Sequence, residues 1–168
     1  MVRRGRAPLS LRRRQGFTLI EAIIVVALLA IILAIAIPSY REYIIRSNRS
    51  AARQVLMEAA QYLERVHTFS GCYNFADTAS CIAGSGSATV IPSTLQRAPS
   101  EGRVTYLVSW SLSSSAYTLT ATPCAAAGGG CPTGADTTFD DPTCGALTLT
   151  HTGARSSSAG TVATCWQR

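Results

Sequence analysis

The feature that most constrains this chain is an apolar run near its N-terminus. Residues 17–37 read FTLIEAIIVVALLAIILAIAI, and after Glu21 the run contains no polar side chain. Its length is close to the ~20 residues that a helix needs to cross a bilayer. Because arginines precede the run, we expect its N-terminal end to stay in the cytoplasm and the rest of the chain to be exported. The sequence therefore predicts one membrane-spanning helix.

The positive charge of the chain is concentrated before this run. The formal net charge is +6, all 15 basic residues are arginines, and six of them precede Gly16: Arg3, Arg4, Arg6, Arg12, Arg13 and Arg14. From Phe17 onward nine arginines stand against nine acidic residues. After residue 70 the arginines are few and scattered in sequence, and they form no basic patch interleaved with aromatic residues: Arg97, Arg103, Arg155 and Arg168. The basic pI therefore does not predict a nucleic-acid partner.

A carboxylate inside such an apolar run needs an explanation. On membrane-insertion scales a charged residue within the span costs about 3 kcal/mol, and such residues usually have a partner. A secretory signal peptide cleaved after Ala36 would release a soluble, disulfide-rich binding protein, but it gives Glu21 no role. A plain uncleaved anchor gives Glu21 none either.

The segment QGFTLIEAIIVV (15–26) resembles the N-terminal signature of type IV pilins and the related pseudopilins. The resemblance implies that a prepilin peptidase cuts between Gly16 and Phe17 and methylates the new amine of Phe17. It also implies that Glu21 neutralises the N-terminal amine of a neighbouring subunit during assembly. On this interpretation residues 1–16 are a removed basic leader, and residues 17–37 are retained as a transmembrane and filament-core helix.

Helical periodicity continues after the apolar run. Residues 38–69 carry apolar side chains three or four positions apart, which predicts an amphipathic helix; the predicted stripe is Ile44, Ala51, Val55, Ala59, Tyr62 or Leu63, and Val66. The charged residues between them, Arg49 included, are predicted to form a solvated face. Pro38 lacks a backbone N–H, so we expect a helix kink near residues 34–38.

Composition changes at Ser70, and residues 70–168 are predicted to form a globular head. Residues 104–110 and 117–122 alternate polar and bulky side chains and predict a hairpin. Residues 146–150 predict a third strand, and TVATCW (161–166) a fourth. The predicted class is α+β, with the long N-terminal helix packed on a small antiparallel sheet with disulfide-bonded loops. The resemblance implies that this is the type IV pilin fold.

Six cysteines lie after residue 70 and predict disulfides formed in an oxidising compartment: Cys72, Cys81, Cys124, Cys131, Cys144 and Cys165. Six cysteines allow 15 pairings. Short loops favour Cys72–Cys81 and Cys124–Cys131, which would leave Cys144–Cys165, but other pairings stay open. A zinc site is not predicted, since the chain has no CxxC pair and its histidines lack finger spacing.

No catalytic motif emerges from the sequence. His67 and His151 are isolated, with no GxSxG turn to supply a nucleophile. Asp136, Asp140 and Asp141 lack EF-hand spacing and predict a polar turn instead. We therefore expect neither an enzyme nor a cofactor or metal.

The resemblance implies a structural subunit, most simply a minor pilin of a type IV pilus. The expected partners are other pilin subunits, the prepilin peptidase, the inner-membrane assembly machinery and, before assembly, membrane lipid. The expected location is the inner membrane with the head in the periplasm, then the extracellular pilus, which supports adhesion or twitching motility. The alternatives are a pseudopilin of a type II secretion system and a DNA-uptake minor pilin.

Overall fold

The computed structural model describes residues 17–75, Cys81 and residues 91–167. The predicted leader, with Gly16, lies outside the described residues. Helix α1 spans Leu19–Ser70, and a short 3-10 helix spans Ser93–Leu95. The remaining elements are β1 (Arg97–Ala98), β2 (Tyr106–Leu112), β3 (Tyr117–Pro123), β4 (Leu147–Thr150), β5 (Arg155–Ser157) and α2 (Val162–Trp166).

The chain divides into two compact units, Met1–Arg41 and Glu42–Arg168. We call residues 17–41 the N-terminal unit, and the second unit the head. Helix α1 passes through both, and Pro38 lies inside it. Helix α1 lies near the N-terminus, and by its length and composition it is long and apolar enough to cross a membrane.

The head contains a five-stranded antiparallel sheet with the strand order β1-β2-β3-β4-β5. Strands β2 and β3 form the predicted hairpin, with Leu112 paired to Tyr117, and the Ser113 N–H donates to the Ala116 carbonyl at 2.8 Å. Alternate residues of β3 are buried, as expected for a sheet with one covered face. The predicted hairpin and third strand are confirmed.

One hydrophobic core fills the head between α1 and the covered face of the sheet. Helix α1 contributes Ala52, Val55, Leu56, Ala59, Ala60 and Leu63. The sheet contributes Tyr106, Val108, Leu112, Tyr117, Leu119, Ala121, Leu147 and Leu149. This packing of a long helix on a small antiparallel sheet with disulfide-bonded loops confirms the predicted fold class.

The structure corrects three details of the sequence prediction. The segment TVATCW forms no strand: Val162–Trp166 is helix α2, and the last strand is instead β5, which the sequence analysis did not predict. The buried stripe of α1 includes the predicted Val55, Ala59 and Leu63, but it also contains Ala52 and Leu56, which were not predicted, whereas the predicted Ile44 is 36% exposed. Arg49, predicted on the solvated face, is buried.

Candidate functional site

The N-terminal unit presents an apolar surface that the chain itself does not cover. All described residues from Phe17 to Arg41 are exposed, including most of the large apolar side chains of the predicted span. Their exposed fractions run from 46% at Val25 to 81% at Phe17. Because an apolar surface of this extent is unfavourable in water, the N-terminal unit requires lipid or other apolar helices around it.

Glu21 lies in the first turn of α1. The Glu21 backbone N–H donates to Thr18 Oγ1 at 3.4 Å, and the Ala22 N–H donates to the Thr18 carbonyl at 3.2 Å. Thr18 therefore acts as the N-cap of α1. Within the described residues no cation lies within salt-bridge distance of the Glu21 carboxylate. The positive end of the helix dipole favours an anion here, but an apolar environment demands a charged partner as well.

Phe17 and Glu21 lie close together in sequence at the start of α1, whereas Pro38 lies near the end of the apolar stretch. Helix α1 continues through Pro38 and ends at Ser70. Gly16 lies outside the described residues.

Three disulfides hold the head. The pairs are Cys72–Cys81, Cys124–Cys131 and Cys144–Cys165, and no described cysteine is free. The first two are the pairs that the short loops favoured, and the third is the pair that those two leave. The pair Cys144–Cys165 encloses β4 and β5 and ties helix α2 to the loop before β4.

A buried ion pair connects α1 to the loop before β4, and the sequence analysis missed it. Arg49 Nε and Nη2 donate to the two carboxylate oxygens of Asp141 at 2.7 and 2.6 Å. The Tyr106 hydroxyl donates to Asp141 Oδ2 at 2.8 Å, and the Cys144 N–H donates to Oδ1 at 3.1 Å. The available signal was spacing: Arg49 lies three residues before Ala52 and so continues the buried stripe.

The electrostatics of this cluster follow from its geometry. Burial alone raises the pKa of Asp141, but the hydrogen bonds from Arg49 and Tyr106 and the charge of Arg49 outweigh it, so this pKa is lowered. The hydrogen bond to Asp141 raises the pKa of Arg49. Burial, reinforced by the hydrogen bond to Asp141, raises the pKa of Tyr106. Both members of the pair are therefore charged and Tyr106 is neutral at neutral pH.

The arginines after residue 70 that the structure describes do not gather on one surface. Arg97 lies in the edge strand β1, whereas Arg155 lies in β5 at the opposite edge of the sheet. Arg103 is 3.6 Å from the Asp136 carboxylate, and Arg168 lies outside the described residues. Among the described residues no group of three or more His, Cys, Asp or Glu side chains is arranged to hold a metal ion.

Two family models match the chain. Residues 38–148 match the model described as "Type IV minor pilin ComP, DNA uptake sequence receptor". Residues 11–37 match the model of the prokaryotic N-terminal methylation motif. The first match covers more than half of the chain, and the second contains Gly16, Phe17 and Glu21.

Several curated fimbrial proteins are similar to part of the chain. The type IV major fimbrial protein FimA of Dichelobacter nodosus is 47% identical over 55 residues, 33% of this chain and 33% of FimA. The fimbrial protein EcpC of Eikenella corrodens is 51% identical over 39 residues, 23% of this chain and 26% of EcpC. The chain thus matches a third or less of the length of these relatives.

A solved structure of a type IV pilin from Shewanella oneidensis also resembles this chain. The sequence identity is 22% and the TM-score is 0.42. The match covers 74% of this chain and 99% of the Shewanella chain.

Proposed function

We propose that this chain, which belongs to the type IV minor pilin family, is a membrane-stored subunit that enters a pilus through its N-terminal unit. One observation carries the proposal: α1 begins with a long apolar stretch in which every residue is exposed and which holds a single carboxylate, in its first turn. Such a surface suits lipid before assembly and the apolar helices of other pilin subunits afterwards. The head would occupy the periplasm first and then the surface of the pilus.

Maturation would expose the amine that Glu21 needs. A prepilin peptidase would remove residues 1–16 and methylate Phe17, which places a cation at the start of the apolar helix. In a filament, the Glu21 carboxylate of one subunit would pair with the Phe17 amine of a neighbour. Since an unpaired charge among apolar helices is costly, this contact would fix the axial position of the subunits.

The mass of the N-terminal peptide tests the proposal. The mature protein is isolated from the membranes of its native host and digested, and its first peptide is identified by mass spectrometry. We expect a peptide that begins at Phe17 and carries one added methyl group. A chain that begins at Ile37, or still at Met1, would contradict the proposal.

A second candidate function is a receptor for DNA during uptake, and the description of the matching family model favours it. The dispersed arginines after residue 70 argue for weak binding by this part of the chain, since affinity for the phosphate backbone depends on clustered cations. Full-length protein in detergent, titrated with duplex DNA at increasing salt, tests this role. Sequence-dependent binding that weakens with salt supports it, and the absence of binding at low salt removes it.

A further inference from the structure

The three disulfides of the head differ in their access to solvent. Cys144 and Cys165 are both fully buried and belong to the hydrophobic core. In the pair Cys72–Cys81 only one partner is buried: Cys72 is fully buried, whereas Cys81 is exposed. A thiol that reduces a disulfide must reach one of its two sulfur atoms, so access helps to decide which pair reacts. The pair Cys72–Cys81 can therefore be attacked from solvent, whereas Cys144–Cys165 is shielded by the fold.

The third pair, Cys124–Cys131, lies between these two extremes. Cys124 is buried and Cys131 is half-buried. The Cys124 N–H donates to the Thr105 carbonyl at 2.9 Å, which holds this end of the loop to the chain before β2. We therefore expect a thiol to reach this pair less easily than Cys72–Cys81.

The backbone beside Cys72 is held by contacts that do not involve the disulfide. Before Cys72, the Gly71 N–H donates to the His67 carbonyl at 2.8 Å, at the end of α1. After Cys72, the Tyr73 ring stacks on the His67 ring, with 4.4 Å between the centroids. The Tyr73 hydroxyl donates to the Glu64 carboxylate at 3.1 Å. None of these contacts needs the sulfur–sulfur bond, so its reduction should leave the end of α1 in place.

Tyr73 also joins this segment to the sheet. Its ring packs edge-on against the ring of Tyr117 in β3, with 4.9 Å between the centroids. The Tyr73 N–H donates to the carbonyl of Ser114, in the turn between β2 and β3, at 3.2 Å. The chain after Cys72 is thus anchored in the head by side-chain and backbone contacts of its own.

The reduced form of the pair also has a hydrogen-bond acceptor in place. The Ser70 carbonyl oxygen lies 4.0 Å from Cys72 Sγ and 3.9 Å from Cys81 Sγ. A thiol is a weak donor, and the Cys72 thiol would be buried, where a donor needs a partner. The local structure can therefore accommodate the two thiols.

We propose that Cys72–Cys81 is a redox-sensitive switch at the end of α1, which a dithiol opens through Cys81 while the head stays folded. A thiolate of the dithiol attacks Cys81 Sγ, the bond to Cys72 breaks, and Cys72 leaves as a thiolate that takes up a proton. The second thiolate of the dithiol attacks the mixed disulfide and releases Cys81, which also takes up a proton. Two electrons thus pass to the pair, and the dithiol becomes a disulfide. The switch belongs to the head and does not depend on the proposed assembly of the chain.

Reduction of the full chain in detergent, at neutral pH and without denaturant, tests the proposal. Dithiothreitol is the probe, and an alkylating reagent stops the reaction at intervals. A second label of different mass, added after complete reduction, marks the cysteines that were still paired. Trypsin cuts after arginine, so Cys72 and Cys81 lie together in peptide 66–97, and the other four cysteines lie in peptides 104–155 and 156–168. Mass spectrometry then follows each pair, while tryptophan fluorescence reports on the fold.

We expect Cys72–Cys81 to be reduced at least about a hundred-fold faster than Cys144–Cys165, whose reduction must wait for the head to open. The fluorescence should still be native at that stage, and oxidised glutathione should re-form the pair. The control is Leu56→Ala, a change in the core that should speed the reduction of Cys144–Cys165 alone. A chain with both Cys72→Ser and Cys81→Ser should keep native fluorescence and the other two disulfides.

Three results would overturn the proposal. One is reduction of all three pairs at the same rate. Another is a rate for Cys72–Cys81 that rises in the Leu56→Ala variant as much as that of Cys144–Cys165, because attack would then require opening of the head. The third is loss of native fluorescence once Cys72–Cys81 alone is reduced or replaced, which would make this pair a requirement of the fold.

Discussion

The two parts of helix α1 bury their side chains in opposite ways. From Phe17 to Arg41 every described residue is exposed, although most of these residues are apolar. Between Arg49 and Leu63 seven residues are buried, and one of them is charged. The same helix therefore depends on its surroundings in the N-terminal unit and on the chain's own sheet in the head.

This difference predicts that substitutions in the two parts of α1 change different measurable properties. Substitutions in the head should change its free energy of unfolding, whereas substitutions in the N-terminal unit should change membrane storage or assembly. Trp110 and Trp166 are the two tryptophans of the chain and both belong to the head. Urea unfolding of the full chain in detergent, followed by tryptophan fluorescence, therefore reports on the head alone.

The largest effect is expected from Asp141→Ala. This change leaves the Arg49 guanidinium buried without its carboxylate and removes the acceptor of the Tyr106 hydroxyl. Breaking a buried ion pair from one side costs about 3–5 kcal/mol, so the urea midpoint should fall sharply. The matched control is Glu42→Ala, which breaks the exposed pair with Arg46 at 3.4 Å and should cost less than about 1 kcal/mol. Equal losses of unfolding free energy in the two variants would show that burial does not make the Arg49–Asp141 pair more important than the exposed pair.

Two leucines of the same helix sharpen the comparison. Leu56 is fully buried, whereas Leu29 is 51% exposed. Leu56→Ala should destabilise the head by about 2–5 kcal/mol, since it removes transfer free energy and leaves a cavity. Leu29→Ala should leave the unfolding of the head unchanged, measured by the same urea titration. A loss of head stability in the Leu29 variant would show that the two parts of α1 are coupled.

Acid should weaken the head through Asp141. The pKa of Asp141 is lowered in the folded state, so its carboxylate binds a proton less readily in the folded head than in the unfolded chain. An aspartate in an unfolded chain has a pKa of about 3.9. The stabilisation that ionised Asp141 gives the head is therefore fully present above about pH 4, and it is lost as the pH falls through the folded-state pKa. Asp141→Asn should remove this part of the acid dependence, so the difference in unfolding free energy between wild type and variant should shrink below about pH 4. A difference that stays constant down to pH 2 would contradict the assignment.

The sequence predicted the elements whose signals are local. The apolar run and the hairpin of β2 and β3 follow from periodicity within a few residues, and both appear in the structure. The prediction for TVATCW failed because a run of six residues with four apolar side chains fits a strand or a helical turn equally well. In the structure Thr161 caps the N-terminus of helix α2, and Cys165 within this helix is disulfide-bonded to Cys144.

The buried pair of Arg49 and Asp141 could not be found by local patterns, since 92 residues separate its members. A charged residue in an amphipathic helix is most often solvated, and only its position in line with Ala52 and Leu56 indicated burial. Contacts of this kind depend on the tertiary packing of the head.

The smallest effect is expected at two threonine caps, one in each unit. Thr161 Oγ1 accepts the Thr164 N–H at 3.2 Å at the start of α2, as Thr18 Oγ1 accepts the Glu21 N–H at the start of α1. Thr161→Ala should lower the unfolding free energy of the head by about 1 kcal/mol, while Thr161→Ser, which keeps the hydroxyl, should cost less. Thr18→Ala should leave that free energy unchanged, because its helix end belongs to the N-terminal unit. If both alanine variants shift the urea midpoint equally, head stability also depends on the N-terminal unit, and the contrast between the two parts of α1 fails.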